Sequence, residues 1–287
     1  MNIDKNIKRP PMRYFGGKWQ LAPRIIELMP AHHVYCEPFA GGASVFLRKP
    51  VVADMILADA DEDIVNALRF LTSPDLSDKL DREFDDFPPS VDFWRSRFEA
   101  WRGVLRDADA LLSAKGLAQI CLSHWAHGGW VRGATMSAAP RKRSGTFSER
   151  VAAFKRVYDE LPSIGAKLAV AEISCAEWQK TLSDRRLKRK GALVYADPPY
   201  LRETRTSTHG YTRDMSDELS HRQLLLQLLQ LSTFGCKVMV SGYRSELYDD
   251  VLRHWRRVDF AARTDASTRR TECVWCNFEA DASGRGA

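Results

Sequence analysis

Asp197-Pro198-Pro199-Tyr200 brings a carboxylate, two proline-flanked carbonyls and an aromatic ring together within four residues. Each proline locks φ and lacks an N–H, so the carbonyls of Asp197 and Pro198 are held as fixed acceptors. Two acceptors beside a flat ring suit an aromatic amine, whose hydrogens are accepted while its own ring stacks on Tyr200. The same residues also read as a plain strand stop, so the rest of the chain has to decide. In front of them, Ala192-Leu193-Val194-Tyr195-Ala196 follows Gly191 and predicts a short buried strand. In an open α/β sheet, ligands lie in the crevice beyond the carboxyl ends of the strands, which is where this strand delivers Asp197.

Arg13-Tyr14-Phe15-Gly16-Gly17-Lys18 is a second stretch with chemical content. Its glycines let the backbone approach a ligand closely. A helix is expected behind it, with Pro23 in its first turn and Leu21, Ile25, Ile26 and Leu28 as apolar positions. Gly-Gly-Lys at a helix start can hold an anion, but the G-x-x-x-x-G-K-S/T spacing of a phosphate loop is absent.

Val34-Tyr35-Cys36, then Glu37-Pro38-Phe39-Ala40-Gly41-Gly42, then Ala43 to Leu47 read as strand, glycine turn and helix, the opening of a nucleotide-binding βαβ unit. The turn departs from G-x-G-x-x-G, which argues against a dinucleotide. Glu37 at the strand end suits a ligand carrying an ammonium rather than a phosphate. A second strand, Met55 to Ala58, ends in Asp59-Ala60-Asp61. Asp59 stands roughly 20 residues beyond the turn, where a ribose-binding carboxylate is expected. Asp61 is the better N-cap for a helix over Ile64–Leu71, which leaves Asp59 for the sugar.

R-Y-F-G-G-K, E-P-F-A-G-G-A-S-V-F-L, L-A-D-A-D and D-P-P-Y, in this order, resemble the Dam-type class of DNA adenine methyltransferases. The resemblance covers residues 13–71 and 191–278. It implies a Rossmann-like α/β domain that binds S-adenosylmethionine, with a mostly helical target-recognition insert. It also implies that Tyr14, Lys18, Asp59 and Asp197 contact the cofactor and that Glu37, Phe39 and Gly41 line its amino-acid end. Glu177 falls where the family places an acidic residue against the cofactor adenine; the family usually carries Asp there, and Glu172 is a rival. Asp197, Pro198 and Tyr200 are the implied catalytic residues, acting on the N6 amine of an adenine flipped out of double-stranded DNA. Thr271-Glu272-Cys273-Val274-Trp275-Cys276-Asn277 resembles the family's closing T-E-x-x-W-x-N segment.

The implied domains are residues 1–72 with 160–279 for catalysis, 73–159 for target recognition, and a disordered tail over 280–287. Within the insert, Ser90 is expected to cap a helix with Phe93, Trp94, Phe98, Trp101 and Leu105 as a core stripe, and a second helix runs from Asp109 to about His124. Residues 73–109 hold 6 Lys/Arg against 10 Asp/Glu, whereas residues 110–159 hold 8 against 2. Arg132, Arg141, Lys142 and Arg143 are therefore expected at DNA phosphates. So are Arg202 and Arg205, in a loop on the carboxyl side of the D-P-P-Y strand. The run Arg185 to Lys190 precedes that strand and belongs at the opposite end of the sheet, as a solvated loop.

The chain of 287 residues is 44% hydrophobic, carries a net charge of +6, and has no apolar run long enough for a membrane helix. Its six cysteines include one C-x-x-C, Cys273 and Cys276, without a second pair or nearby histidine to complete a zinc site. They read as buried thiols on alternate faces of a strand, and no metal is expected. His124 and His127 lack acidic or cysteine partners and read as core or solvated residues. The expected location is the cytoplasm of a bacterium or phage host. A restriction enzyme of matching specificity is a candidate partner, and the expected assembly is a monomer or weak dimer. The rival functions are N-methylation of RNA or of glutamine side chains, and a non-catalytic DNA-binding relative.

Overall fold

Short apolar runs closed by glycine, proline or aspartate become the strands of one sheet. The computed structural model describes residues 6–14, 16–84, 86–126, 131, 136, 146–202, 215, 217–262 and 270–279. Among them the strands are β1 (Val34–Glu37), β2 (Asp54–Asp59), β3 (Glu172–Cys175), β4 (Ala192–Ala196), β5 (Lys237–Tyr243), β6 (Arg256–Ala262) and β7 (Arg270–Cys276), in the order β3-β2-β1-β4-β5-β7-β6. The first five strands in that order are parallel, and β7 is antiparallel to both β5 and β6. The chain winds outward from β1 to β3, then crosses back to β4 and winds the other way. The order therefore reverses between β1 and β4, and the crevice at their carboxyl ends is the place for a ligand.

β1 and β4 are buried along their whole length, and alternate residues feed two cores. Tyr35, Leu193, Tyr195 and Met239 face one of them; Cys36, Val194, Val238 and Val240 face the other. Helices α1 (Ala22–Glu27), α2 (Ser44–Arg48) and α3 (Glu62–Leu71) cover the first face, with Pro23 in the first turn of α1. Asp61 caps α3 by accepting the Asp63 N–H at 3.1 Å, as expected.

The intervening segment folds as α4 (Leu76–Glu83), α5 (Val91–Arg106), α6 (Leu112–Trp125), α7 (Phe147–Tyr158) and α8 (Leu161–Leu168). Ser90 caps α5 through the Phe93 N–H. The aromatic stripe is core: Trp94, Phe98 and Trp101 are buried, and Trp94 stacks on Trp125 at 4.5 Å. These helices do not enclose a separate core but extend the one under the sheet. Gly116 of α6 lies so close to the Asn66 carbonyl of α3 that a Cβ has no room.

The run Ala169-Val170-Ala171-Glu172-Ile173 by itself predicts a strand over those residues, but the strand lies instead at Glu172–Cys175. Helix α8 continues to Leu168, and Ala169 caps it, which pushes the strand toward the carboxyl side. Behind it come α9 (Trp178–Leu182), a 3-10 turn over Arg185–Leu187, α10 (Glu218–Thr233) and α11 (Glu246–Val251). Cys273 and Cys276 join opposite cores, three residues apart on one strand. Burial pushes both thiols up to about 12. His124 is buried, with Nε2 3.0 Å from the Pro11 carbonyl, and burial lowers its pKa to about 4. Among the described residues no group of three or more His, Cys, Asp or Glu could hold a metal ion, and no helix is long and apolar enough to cross a membrane. Arg132, Arg141, Lys142, Arg143, Arg205, His127 and the tail over 280–287 lie outside the described residues.

Candidate active site

A cavity of about 390 Å³ opens at the carboxyl ends of β1 and β4. Its walls come from four segments far apart in sequence: Tyr14 with Gly16 to Lys18, the Glu37–Gly42 turn, Asp59 to Asp61, and Asp197 with Pro199. Glu177, Trp178 and Gln179 close one side, and Met215 and Ser220 another. A space of this size lies within the few-hundred-Å³ range of small-molecule sites.

The turn after β1 is shaped for a ligand held against backbone. Gly41 has φ +46°, a conformation that costs an L-residue about 1–2 kcal/mol, and a Cβ there would stand 2.8 Å from the Tyr14 ring. Ala43 takes the same left-handed conformation at the start of α2. The turn is tied to the next strand by Asp59, whose Oδ2 accepts the Gly41 N–H at 2.8 Å and whose Oδ1 accepts the Asp61 N–H at 2.9 Å. Asp59 is thus engaged rather than free, although each carboxylate oxygen retains a second lone pair. Burial raises its pKa to about 6 despite those two bonds.

Glu37 sits at the floor with 3% exposure, and its Oε1 accepts the Tyr35 hydroxyl at 2.7 Å. Burial raises its pKa to about 8; the charge of Asp197 adds to the rise, and the Tyr35 bond and Lys49 oppose it. Lys49 is sealed beneath, with Nζ 2.8 Å from the Pro50 carbonyl and 4.3 Å from the Tyr35 ring centre. Burial pulls its pKa down to about 7. Nothing in the local sequence marks Lys49, because its burial depends on how α2 packs.

Lys18 joins the Gly-Gly-Lys stretch to D-P-P-Y. Its Nζ lies 2.8 Å from the Gly16 carbonyl and 3.0 Å from Asp197 Oδ1. The ammonium is committed to a carboxylate, so this glycine-lysine stretch is not the anion site that its composition suggests. Burial raises the Asp197 pKa, and Lys18 opposes that rise. Lys18 Nζ also stands 4.9 Å from the centre of the Tyr200 ring. Tyr200 meets Tyr243 edge to face at 4.7 Å, and its hydroxyl donates to Glu272 Oε2 at 2.6 Å. Glu272 is the functional-site residue that sequence reasoning left without a role. Its signal is a carboxylate on the same strand face as Val274 and Cys276, both of which are buried.

The structure thus brings together Tyr14, Lys18, Glu37, Phe39, Gly41, Asp59, Glu177 and Asp197 around one cavity. Glu177 stands at its exposed mouth. Its rival Glu172, at the amino end of β3, pairs with Arg186 at 2.8 Å. Arg202 is exposed and borders a separate depression with Glu218, Arg222, Glu246 and Asp250.

The family model for D12 class N6 adenine-specific DNA methyltransferases matches residues 14–266. The chain is also similar to a DNA adenine methylase of Serratia marcescens, with 27% identity over 251 residues, 85% of this chain and 86% of that protein.

Proposed function

We propose that this chain, which belongs to the D12 class of N6 adenine-specific DNA methyltransferases, holds S-adenosylmethionine in the crevice between β1 and β4 and presents the target amine to Asp197 and Pro198. The carrying observation is that Asp197 lines the same cavity as Glu37 and Asp59, so donor and acceptor sites share one space.

The cavity fits this cofactor by its polarity. Glu37 is a buried carboxyl poised to ionise when a ligand ammonium arrives, and the Gly41–Tyr14 contact leaves a turn no Cβ could enter. Asp59 offers its remaining lone pairs to a sugar, and Phe39, Trp178 and Glu177 flank the space left for a base. When bound, S-adenosylmethionine supplies an electrophilic methyl group on a sulfonium.

Asp197 and the Pro198 carbonyl accept the two hydrogens of the adenine amine and so localise its lone pair in line for attack. Neither has to remove a proton beforehand, because the amine becomes strongly acidic only after the new N–C bond forms. Asp197, its pKa already raised by burial, then takes the surplus proton. Tyr200 supplies the aromatic wall for the extruded base, in return for stacking and pairing worth a few kcal/mol. Catalysis is thus positioning and electrostatics. We assign residues 73–159 to target recognition, with the basic half over 110–159 along the phosphates.

The test is transfer of labelled methyl from S-adenosylmethionine to mixed-sequence duplex DNA, RNA and a glutamine-bearing protein, followed by digestion. Label in N6-methyl-deoxyadenosine supports the reading. Label confined to RNA or protein overturns it.

A further inference from the structure

Glu272 lies in the seventh strand, far from D-P-P-Y in sequence, yet it is the closest partner of the Tyr200 hydroxyl. The antiparallel pairing of β7 with β5 sets Glu272 opposite Tyr243. From there Oε2 accepts the Tyr200 hydroxyl at 2.6 Å, whereas Asp197 Oδ1 stands 3.3 Å from the same hydroxyl. The distances decide which carboxylate holds the ring. A charge-assisted O–H···O bond of 2.6 Å is strong and directional, and 3.3 Å exceeds the ordinary range for such bonds. Asp197 is therefore the weaker of the two acceptors of this hydroxyl and keeps most of its acceptor capacity for Lys18 and for the amine. Tyr243, cross-strand from Glu272, packs edge to face on Tyr200 at 4.7 Å. The ring is fixed at its hydroxyl by the carboxylate and along its body by this neighbour.

We propose that Glu272 is a positioning residue for methyl transfer. By accepting the Tyr200 hydroxyl it sets the plane of the aromatic wall and draws that hydroxyl away from a full bond to Asp197. The inference rests on the methyltransferase reading above and deepens it. Without Glu272, the Tyr200 hydroxyl turns to the nearest remaining acceptor, Asp197, and competes with the substrate amine. Burial raises the pKa of Glu272, while Lys18 and the hydrogen bonds from Tyr200 and Tyr243 oppose that rise and favour the ionised, accepting form.

The experiment is a double-mutant cycle on the single-turnover methylation rate, with Glu272→Ala, Tyr200→Phe and the pair, plus Glu272→Gln. Losing the anchor should slow Glu272→Ala by about tenfold to a hundredfold, as expected when a reacting group is slightly misplaced. Its duplex-DNA Kd and KM for S-adenosylmethionine should stay within about threefold of wild type. Removing the hydroxyl from Glu272→Ala removes the competitor, so the double variant should be no slower than Glu272→Ala alone. Glu272→Gln, which keeps a carbonyl acceptor, should recover most of the rate and also covers any failure of the alanine variant to fold. Multiplicative losses in the double variant, or a glutamine variant as slow as alanine, would overturn the inference while leaving the methyltransferase reading intact. A wild type that leaves duplex DNA unlabelled would overturn both.

Discussion

Lys18 Nζ stands 3.0 Å from Asp197 Oδ1, an ion pair that joins the first functional stretch of the chain to the last turn of its central strand. The pair is sheltered, with the lysine side chain 5% exposed and the aspartate 19%. Burial and Lys18 act in opposite directions on Asp197, and burial wins. The acceptor is thus made more basic than an ordinary aspartate while its geometry is fixed by the prolines behind it.

Lys18→Met should remove the influence that lowers the Asp197 pKa, so that pKa rises further. Activity is then lost on the acid side at a higher pH, and the acid limb of the kcat profile moves upward. Leaving one buried charge unpaired costs about 3–5 kcal/mol, so a lower Tm should accompany the shift. A pH–rate profile with a parallel thermal melt checks both.

Glu37→Gln separates cofactor binding from folding. Glu37 has its folded pKa raised to about 8, so its burial is tolerated fully below the ordinary carboxylate range and becomes destabilising as pH rises toward 8. Tyr35, Lys49 and Asp197 face the same carboxyl. In that window each pH unit costs at most about 1.4 kcal/mol. The glutamine variant should therefore gain stability over wild type as pH rises from 5 to 8 and lose most of its affinity for S-adenosylmethionine. Melts at both pH values and calorimetric titration of the cofactor read the two effects.

Gly41→Ala should damage the cofactor site. The new Cβ meets the Tyr14 ring at 2.8 and 2.9 Å and forces a positive φ on an L-residue. Strain of about 1–2 kcal/mol, together with displacement of Tyr14, should raise the Kd for S-adenosylmethionine at least tenfold. Duplex binding should be preserved. Equilibrium titrations of the two ligands check the separation.

Neutralising Arg141, Lys142 and Arg143 together should flatten the salt dependence of duplex binding. Each phosphate contact contributes a slope of about 0.9 in log K against log salt, so three contacts account for about 2.7. An unchanged slope would remove these residues from the interface.

The parts of the site written in contiguous residues were legible from the sequence. D-P-P-Y follows its strand directly, the Glu37–Gly42 turn lies between β1 and α2, and Asp61 caps its own helix, so local spacing was enough. The pair Cys273 and Cys276 was legible for the same reason, since strand alternation puts them on opposite faces. Glu272 was not. Its bond to Tyr200 depends on the register of β7 against β5, a property of the assembled sheet. Lys49 was hidden because a lysine after a short helix is ordinarily solvated, and its burial comes from tertiary packing. Strand β6 was missed because Arg256, Arg257 and Asp259 break up its apolar content at the sheet edge. Strand β3 begins later than its apolar run predicts because helix α8 runs on to Leu168 and is capped at Ala169.

In the proposed mechanism Asp197 accepts the amine that becomes methylated. The most direct measurement is the single-turnover rate of Asp197→Ala on duplex DNA with labelled S-adenosylmethionine, alongside its Kd for the same duplex. The rate should fall on the order of a thousandfold or more, with DNA affinity within about threefold of wild type. Turnover near the wild-type rate would contradict it.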